Sequence, residues 1–205
     1  MNRDNIRSRA LQDLRKSGVL MVDGHFDFGN GYHGTTYVNP HQLFRQPSTI
    51  WRVAQDLLDV IPGHILQKTE VVAGPVTGGA LLAHTIAGLL DSRRSLGVAP
   101  SLFAPFNYEP EHGLALRDFY RREIAGKRVL LADDVRNTGQ TLARCGALVR
   151  EAGGTVIATV VICDRLAETA DLGVPHIALA EYETPGNVKT GDCAQCKAGI
   201  PITRF

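Results

Sequence analysis

No apolar run in this sequence approaches the roughly 20 residues that a bilayer-spanning helix requires, so no such helix is expected. Charge of one sign is also missing: 22 Lys and Arg stand against 21 Asp and Glu, a formal net charge of +1. Without a basic excess or a polybasic tail, nucleic acid is not an expected partner. Cysteine is scarce, four residues in 205, and in a cytoplasmic protein no disulfide framework is expected. The opening residues, Met1-Asn2-Arg3-Asp4-Asn5, lack the charged-then-apolar order of a secretion signal, so a cytoplasmic protein is expected. No internal repeat is evident. What remains is ordinary apolar content over a length that suits one domain with a sizeable core.

The most informative stretch is Arg128-Val-Leu-Leu-Ala-Asp-Asp-Val-Arg-Asn-Thr-Gly-Gln-Thr141. Val129 to Ala132 read as a strand buried on both faces. The strand ends in two adjacent carboxylates, Asp133 and Asp134, followed by a polar turn and an amphipathic helix. Ligands of open α/β sheets bind at the carboxyl ends of strands. A helix N-terminus offers unpaired backbone N–H groups, a glycine lets backbone close around an anion, and threonine hydroxyls add donors. Asn137, Thr138, Gly139, Gln140 and Thr141 therefore read as a cradle for a phosphate monoester. The two carboxylates would repel a phosphate; they suit a pair of vicinal hydroxyls or Mg²⁺. Phosphate, diol and metal together describe a 5-phosphoribosyl group.

The rest of the chain supplies βα alternation. A helix is expected over 3–17, short extended segments at 19–22, 24–28 and 35–39, and a helix over 47–60. Ser48 is the expected cap of that helix, with Trp51, Val53, Ala54, Leu57 and Leu58 on its buried side. Buried strands are expected at 70–74, 101–105, 155–163 and 176–180, with helices at 80–90 and 141–152. The Val76-Thr77-Gly78-Gly79 turn between strand and helix is a second anion-binding geometry. The polar segment 106–124 reads as a short hairpin or a flap. Alternation of this kind gives an α/β fold around a parallel sheet with right-handed crossovers.

The central stretch resembles the PRPP-binding motif of type I phosphoribosyltransferases, an apolar strand and two acids followed by Thr-Thr-Gly-x-Thr; Asn137 stands in place of the first Thr. The resemblance implies a parallel five-stranded core sheet flanked by helices and a small hood. It makes the chain a single domain, 1–205, with the core at about 48–182 and the hood from about 1–47 and 183–205. By the same resemblance PRPP is held by Asp133, Asp134, Val135, Arg136, Asn137, Thr138, Gly139, Gln140 and Thr141. Val76, Thr77, Gly78 and Gly79 take pyrophosphate, often through a non-proline cis peptide at this place. Mg²⁺ is the expected cofactor, held through PRPP with Asp133 and Asp134.

The flanks are similar to orotate phosphoribosyltransferases. Gly24-His-Phe, Asn30-Gly31 and Thr36-Tyr37-Val-Asn39 match a hood segment lining the base pocket, which implies base contacts at Phe28, Thr36 and Tyr37, joined by Asn137. His112-Gly113 matches a flap pair, giving His112 a catalytic role beside Asp133 and Asp134, with Arg117 as a flap cation toward PRPP. Asp164-Arg165 matches a pair whose arginine meets the orotate carboxylate, for which a guanidinium fork is well shaped. Gly29 stands where many members have a lysine, and the flap carries no lysine. The expected activity is transfer of phosphoribose from PRPP to a nucleobase, orotate first. A purine or other acceptor, and a non-catalytic PRPP-binding regulator, stay open. A homodimer is the expected assembly. Cys193-Ala-Gln-Cys196 is half of a tetrahedral zinc site, or a redox pair. The chain has no second such pair, and a two-fold dimer is one way to complete the site.

Overall fold

The computed structural model describes residues 2–204 except 29, 30, 112, 167–169 and 184–186. In chain order the elements are α1 (Arg3–Lys16), β1 (Leu20–Met21), β2 (Phe26–Asp27), β3 (Tyr32–Gly34), β4 (Tyr37–Val38), α2 (His41–Phe44), α3 (Pro47–Val60) and α4 (Gly63–Lys68). The core then runs β5 (Val71–Pro75), α5 (Gly78–Ser92), β6 (Leu102–Glu109), β7 (Gly113–Ala115), α6 (Asp118–Ile124), β8 (Arg128–Arg136), α7 (Gln140–Glu151), β9 (Thr155–Asp164) and β10 (His176–Glu181). The tail carries β11 (Val188–Lys189), a 3₁₀ turn (Thr190–Asp192) and α8 (Ala194–Lys197).

The main sheet has six strands in the order β10-β9-β8-β5-β6-β7. The expected strands β5, β6, β8, β9 and β10 are all parallel to their neighbours, and β7 adds an antiparallel edge. Along β8 the side chains alternate between two buried clusters. Leu130 and Ala132 face α1, α3 and α5, while Val129 and Leu131 face α6 and α7. Burial on both faces is why this strand reads as an unbroken apolar run. The chain builds β6 on one side of β5 and then returns to build β8 on the other. The carboxyl ends of β5 and β8 therefore flank the point where strand order reverses, which is where open α/β sheets bind ligands.

Two short sheets form the hood. β1 pairs with β4, and β2, β3 and β11 make a three-stranded sheet that joins the N-terminal segment to the tail. No helix among the described residues is long and apolar enough to cross a membrane.

Three local expectations are corrected. Helix α3 spans 47–60 as expected, but Pro47 occupies its first turn, Gln46 stands at the N-cap, and Ser48 is not the cap. Proline suits that place because its missing N–H would have no intrahelical partner. Trp51 is 48 % exposed, since the buried stripe runs through Ile50, Ala54, Leu57 and Leu58 and the tryptophan lies about 100° round from Ile50. Strand β6 continues to Glu109, because β7 folds back to pair Asn107 with Ala115 and Glu109 with Gly113. The polar segment is thus a hairpin followed by a helix.

These burials give a direct contrast. Leu57, fully buried, should lose about 2–5 kcal/mol on truncation to alanine. Trp51→Ala should stay within about 1 kcal/mol despite removing far more atoms. Urea unfolding of the two variants measures both, and equal losses would contradict the packing of α3.

Candidate active site

Two loops and one carboxylate pair meet at the switch point. Asp133 is 7 % exposed at the end of β8, and its Oδ1 accepts a hydrogen bond from the Asp134 backbone N–H at 2.9 Å. Asp134 Oδ1 in turn accepts from the Val135 N–H at 2.7 Å. These bonds fix both carboxylates against the strand end. Among the described residues no ion pair involves either one. Burial, and then the neighbouring Asp134 charge, push Asp133 well above the ordinary carboxylate range. Burial also raises Asp134, opposed by the Val135 N–H bond, the hydrogen bond with Asp133 and His41 of α2. The pair is an acidic site that burial makes costly to ionise, with no ion pair to it among the described residues.

The Val76-Thr77-Gly78-Gly79 turn lies against that pair. A Cβ on Gly78 would fall 1.9 Å from Asp134 Oδ2 and 2.7 Å from the Phe44 ring. One on Gly79 would fall 2.8 Å from Asp133 Oδ1. Only glycines let this backbone approach the carboxylates. The Val76–Thr77 peptide is cis, as the resemblance implied. Val76 N–H donates to the Phe106 carbonyl at 2.9 Å, which ties the turn to β6. Thr77 is exposed at the head of α5, while Gly78, Gly79 and Ala80 of its first turn are buried.

On the other side of the pair the chain makes the cradle. Gly139 adopts φ +71°, a left-handed turn that starts α7 at Gln140. The first intrahelical bond is Ala143 N–H to the Gly139 carbonyl, which leaves the N–H groups of Gln140, Thr141 and Leu142 without helical acceptors. Asp133, Val135, Arg136 and residues 137 to 142 enclose a cavity of about 140 Å³. At about 30 Å³ per water, that is room for one phosphate group with its first waters. Arg136 lines the cavity but is engaged by the carboxylate of buried Asp164. His176 approaches the same Asp164 oxygen at 3.3 Å. Burial, and then the Arg136 charge, hold His176 down at about 4, so it is a neutral member of this cluster.

Because Asp164 is taken by Arg136, Arg165 is not its partner and reaches the hood. Its Nη1 donates to Asn137 Oδ1 at 3.0 Å, its Nη2 to Asn187 Oδ1 at 3.4 Å, and its guanidinium lies 5.8 Å over the Phe28 ring. Phe28 stacks on Tyr37 with ring centres 6.0 Å apart. Phe28, Tyr37, Asn137 and Arg165 thus form one aromatic and cationic surface beside the cradle. Thr36 is buried. His112 lies outside the described residues. Arg117 lines a different cavity, about 470 Å³, with Arg121, Arg144 and Glu151, and this cavity shares no residue with the cradle. The other two predicted ligands, Cys193 and Cys196, sit in the hood next to His25 and His33. Sequence reading missed Phe44, His41 and Asn187. The first two come from a four-residue helix with no periodic signal, and Asn187 from the irregular tail.

Sign and burial make one prediction. A carboxylate whose folded-state pKa is raised destabilises the fold as pH climbs through that raised value. Replacing Asp133 and Asp134 together by Asn removes this penalty. The ligand-free double variant should melt higher than the parent at neutral pH, by about 2–4 °C per kcal/mol relieved in a chain this size. The gap should close as pH falls toward the ordinary value of 3.8. Scanning calorimetry across that range checks it; a lower melting temperature at neutral pH would show the charges to be compensated.

Comparison with known proteins places this geometry. The family model described as a phosphoribosyl transferase domain matches residues 48–172. The orotate phosphoribosyltransferase of Erythrobacter litoralis is 32% identical over 195 residues, covering 95% of this chain and 94% of that protein. That of Thermotoga maritima is 33% identical over 193 residues, covering 93% and 94%. Among solved structures, the orotate phosphoribosyltransferase of Aeropyrum pernix superposes with a TM-score of 0.65 at 26% identity, covering 83% of this chain and 92% of that one.

Proposed function

The chain belongs to the phosphoribosyltransferase family, and on that premise we propose that it transfers the 5-phosphoribosyl group of PRPP to a ring nitrogen of orotate, forming orotidine 5′-phosphate and releasing pyrophosphate. The observation that carries the reading is the convergence at the switch point. Cradle, carboxylate pair and Gly78–Gly79 turn lie in contact, in the order in which PRPP presents phosphate, diol and pyrophosphate.

The cradle N–H groups and the hydroxyls of Thr138 and Thr141 hold the 5′-phosphate, pre-setting the sugar. Asp133 and Asp134 accept from the ribose hydroxyls. In their ionised form they favour the positive charge that develops on the sugar as the bond to pyrophosphate breaks. The head of α5 receives the leaving pyrophosphate. The buried oxygen pair also fits Mg²⁺, which when bound with PRPP neutralises pyrophosphate oxygens. On the acceptor side the Arg165 fork meets the carboxylate, and the Phe28–Tyr37 pair offers a stacking face for the planar ring. The same reading makes the protein a cytoplasmic homodimer, with Arg117 and the β6–β7 hairpin serving the partner's cleft.

Pyrophosphate release from Mg-PRPP, measured with orotate, uracil, adenine, hypoxanthine and xanthine in turn, tests the proposal. Release with orotate alone is expected. Release with a purine would move the acceptor, and silence across the panel with PRPP bound would make the chain a regulator. Arg165→Ala should raise KM for orotate roughly 10- to 100-fold, the value of one charge-assisted hydrogen-bonding site, while KM for PRPP changes little.

A further inference from the structure

The tail cysteines have a second half after all, and it comes from the same chain. Strands β2 and β3 form a hairpin that pairs Asp27 with His33, and β11 pairs Val188 with that same His33. The chain then turns through Thr190–Asp192 and delivers Cys193 and Cys196 onto the hairpin. Four possible ligand atoms, His25 Nε2, His33 Nδ1 and the two Sγ atoms, come within 4.8 Å of one another.

The separations are those of a coordination shell. With bonds of about 2.0–2.1 Å to nitrogen and about 2.3 Å to sulfur, a tetrahedral zinc site has edges of about 3.3 Å between nitrogens and about 3.6 Å between nitrogen and sulfur. Here His25 Nε2 and His33 Nδ1 are 3.3 Å apart. Cys193 Sγ lies 3.4 Å and Cys196 Sγ 3.5 Å from His25 Nε2, and Cys196 Sγ is 3.3 Å from His33 Nδ1.

The surroundings prepare the ligands. The Ile200 carbonyl, 2.9 Å from His25 Nδ1, can only accept, so that nitrogen carries the proton and Nε2 presents its lone pair to the cluster. His33 Nε2 lies 3.9 Å from Asp27 Oδ1, so a carboxylate backs the second imidazole, and Arg204 holds the other Asp27 oxygen at 3.1 Å. Such outer partners orient metal-binding histidines. His25, His33 and Cys193 are buried, and Cys196 is exposed, which leaves one side open for metal entry.

We propose that His25, His33, Cys193 and Cys196 bind one Zn²⁺ in a tetrahedral structural site that staples the N-terminal hairpin to the C-terminal tail. Two thiols lose their protons on binding, and two thiolates with two neutral imidazoles leave the bound site without net charge, as its burial requires. The site clamps the hood beside the acceptor surface, since the Phe28 ring packs on Gly34, the residue after His33. A Cys193–Cys196 redox pair would need neither histidine.

The test uses the full chain, untagged, reduced and purified without chelator. Elemental analysis should find one zinc per chain, and Co²⁺ exchanged into the site should give the intense d–d bands of a tetrahedral ion with thiolate charge transfer. His33→Ala and Cys196→Ser should each drop zinc to near none, while Cys145→Ser, a buried cysteine outside the cluster, should retain it. A chelator should lower the melting temperature of the parent. Should the cluster variants fail to fold, the parent's zinc content and Co²⁺ spectrum decide alone. Reduced parent protein with no zinc and no tetrahedral Co²⁺ spectrum would overturn the proposal, as would full zinc retention in His33→Ala. Neither readout depends on which base the chain uses.

Discussion

Two carboxyl groups held side by side at the end of β8, with no ion pair to either among the described residues, are the constraint on which the rest of the site depends. Water would stabilise them if they were exposed, but Asp133 is buried and Asp134 is half-buried. Their backbone hydrogen bonds fix geometry without removing the charge. Everything near them accommodates that fact. The α5 turn is glycine where it touches them, the α7 turn begins at a left-handed Gly139 in the cavity beside them, and the neighbouring arginine is paired with Asp164. A site organised this way stores its electrostatics for a ligand that brings hydroxyls and a cation, and stability is what the fold gives up for it.

The diversion of Arg136 has a second effect. Asp164 sits beside Arg165 in sequence, yet the two side chains have different partners. In the fold Asp164 turns inward to Arg136 and His176, and Arg165 turns outward to Asn137, Asn187 and Phe28. One salt bridge, Arg136 to Asp164, thus joins the cavity of residues 133–142 to the strand end that carries Arg165. The hood supplies the rest of that surface, and its three-stranded sheet is too small to hold itself without the tail strand and the residues that follow it.

What could be read from the sequence follows from how local the signal was. The Arg128–Arg136 strand was legible because burial on both faces produces an unbroken apolar run, and because acids directly after such a run have few structural uses. The cradle and the Val76–Gly79 turn were legible for the same reason, each being contiguous. Trp51 was misplaced because helical periodicity gives a stripe without its edges. Arg117 was assigned by analogy of position, and the fold places it in a separate cavity. The histidine half of the hood cluster was invisible, because His25 and Cys193 are 168 residues apart and meet where the tail packs on the N-terminal hairpin. No spacing rule spans such a gap.

The central claim is that the carboxylate pair exists for the sugar of PRPP. A crystal structure of the chain with Mg-PRPP tests it most directly. The account predicts the 5′-phosphate on residues 137–141, both ribose hydroxyls within hydrogen-bonding distance of Asp133 and Asp134, and pyrophosphate against Val76–Gly79. A complex in which the sugar turns away from the two aspartates, with the phosphate bound elsewhere, would contradict it.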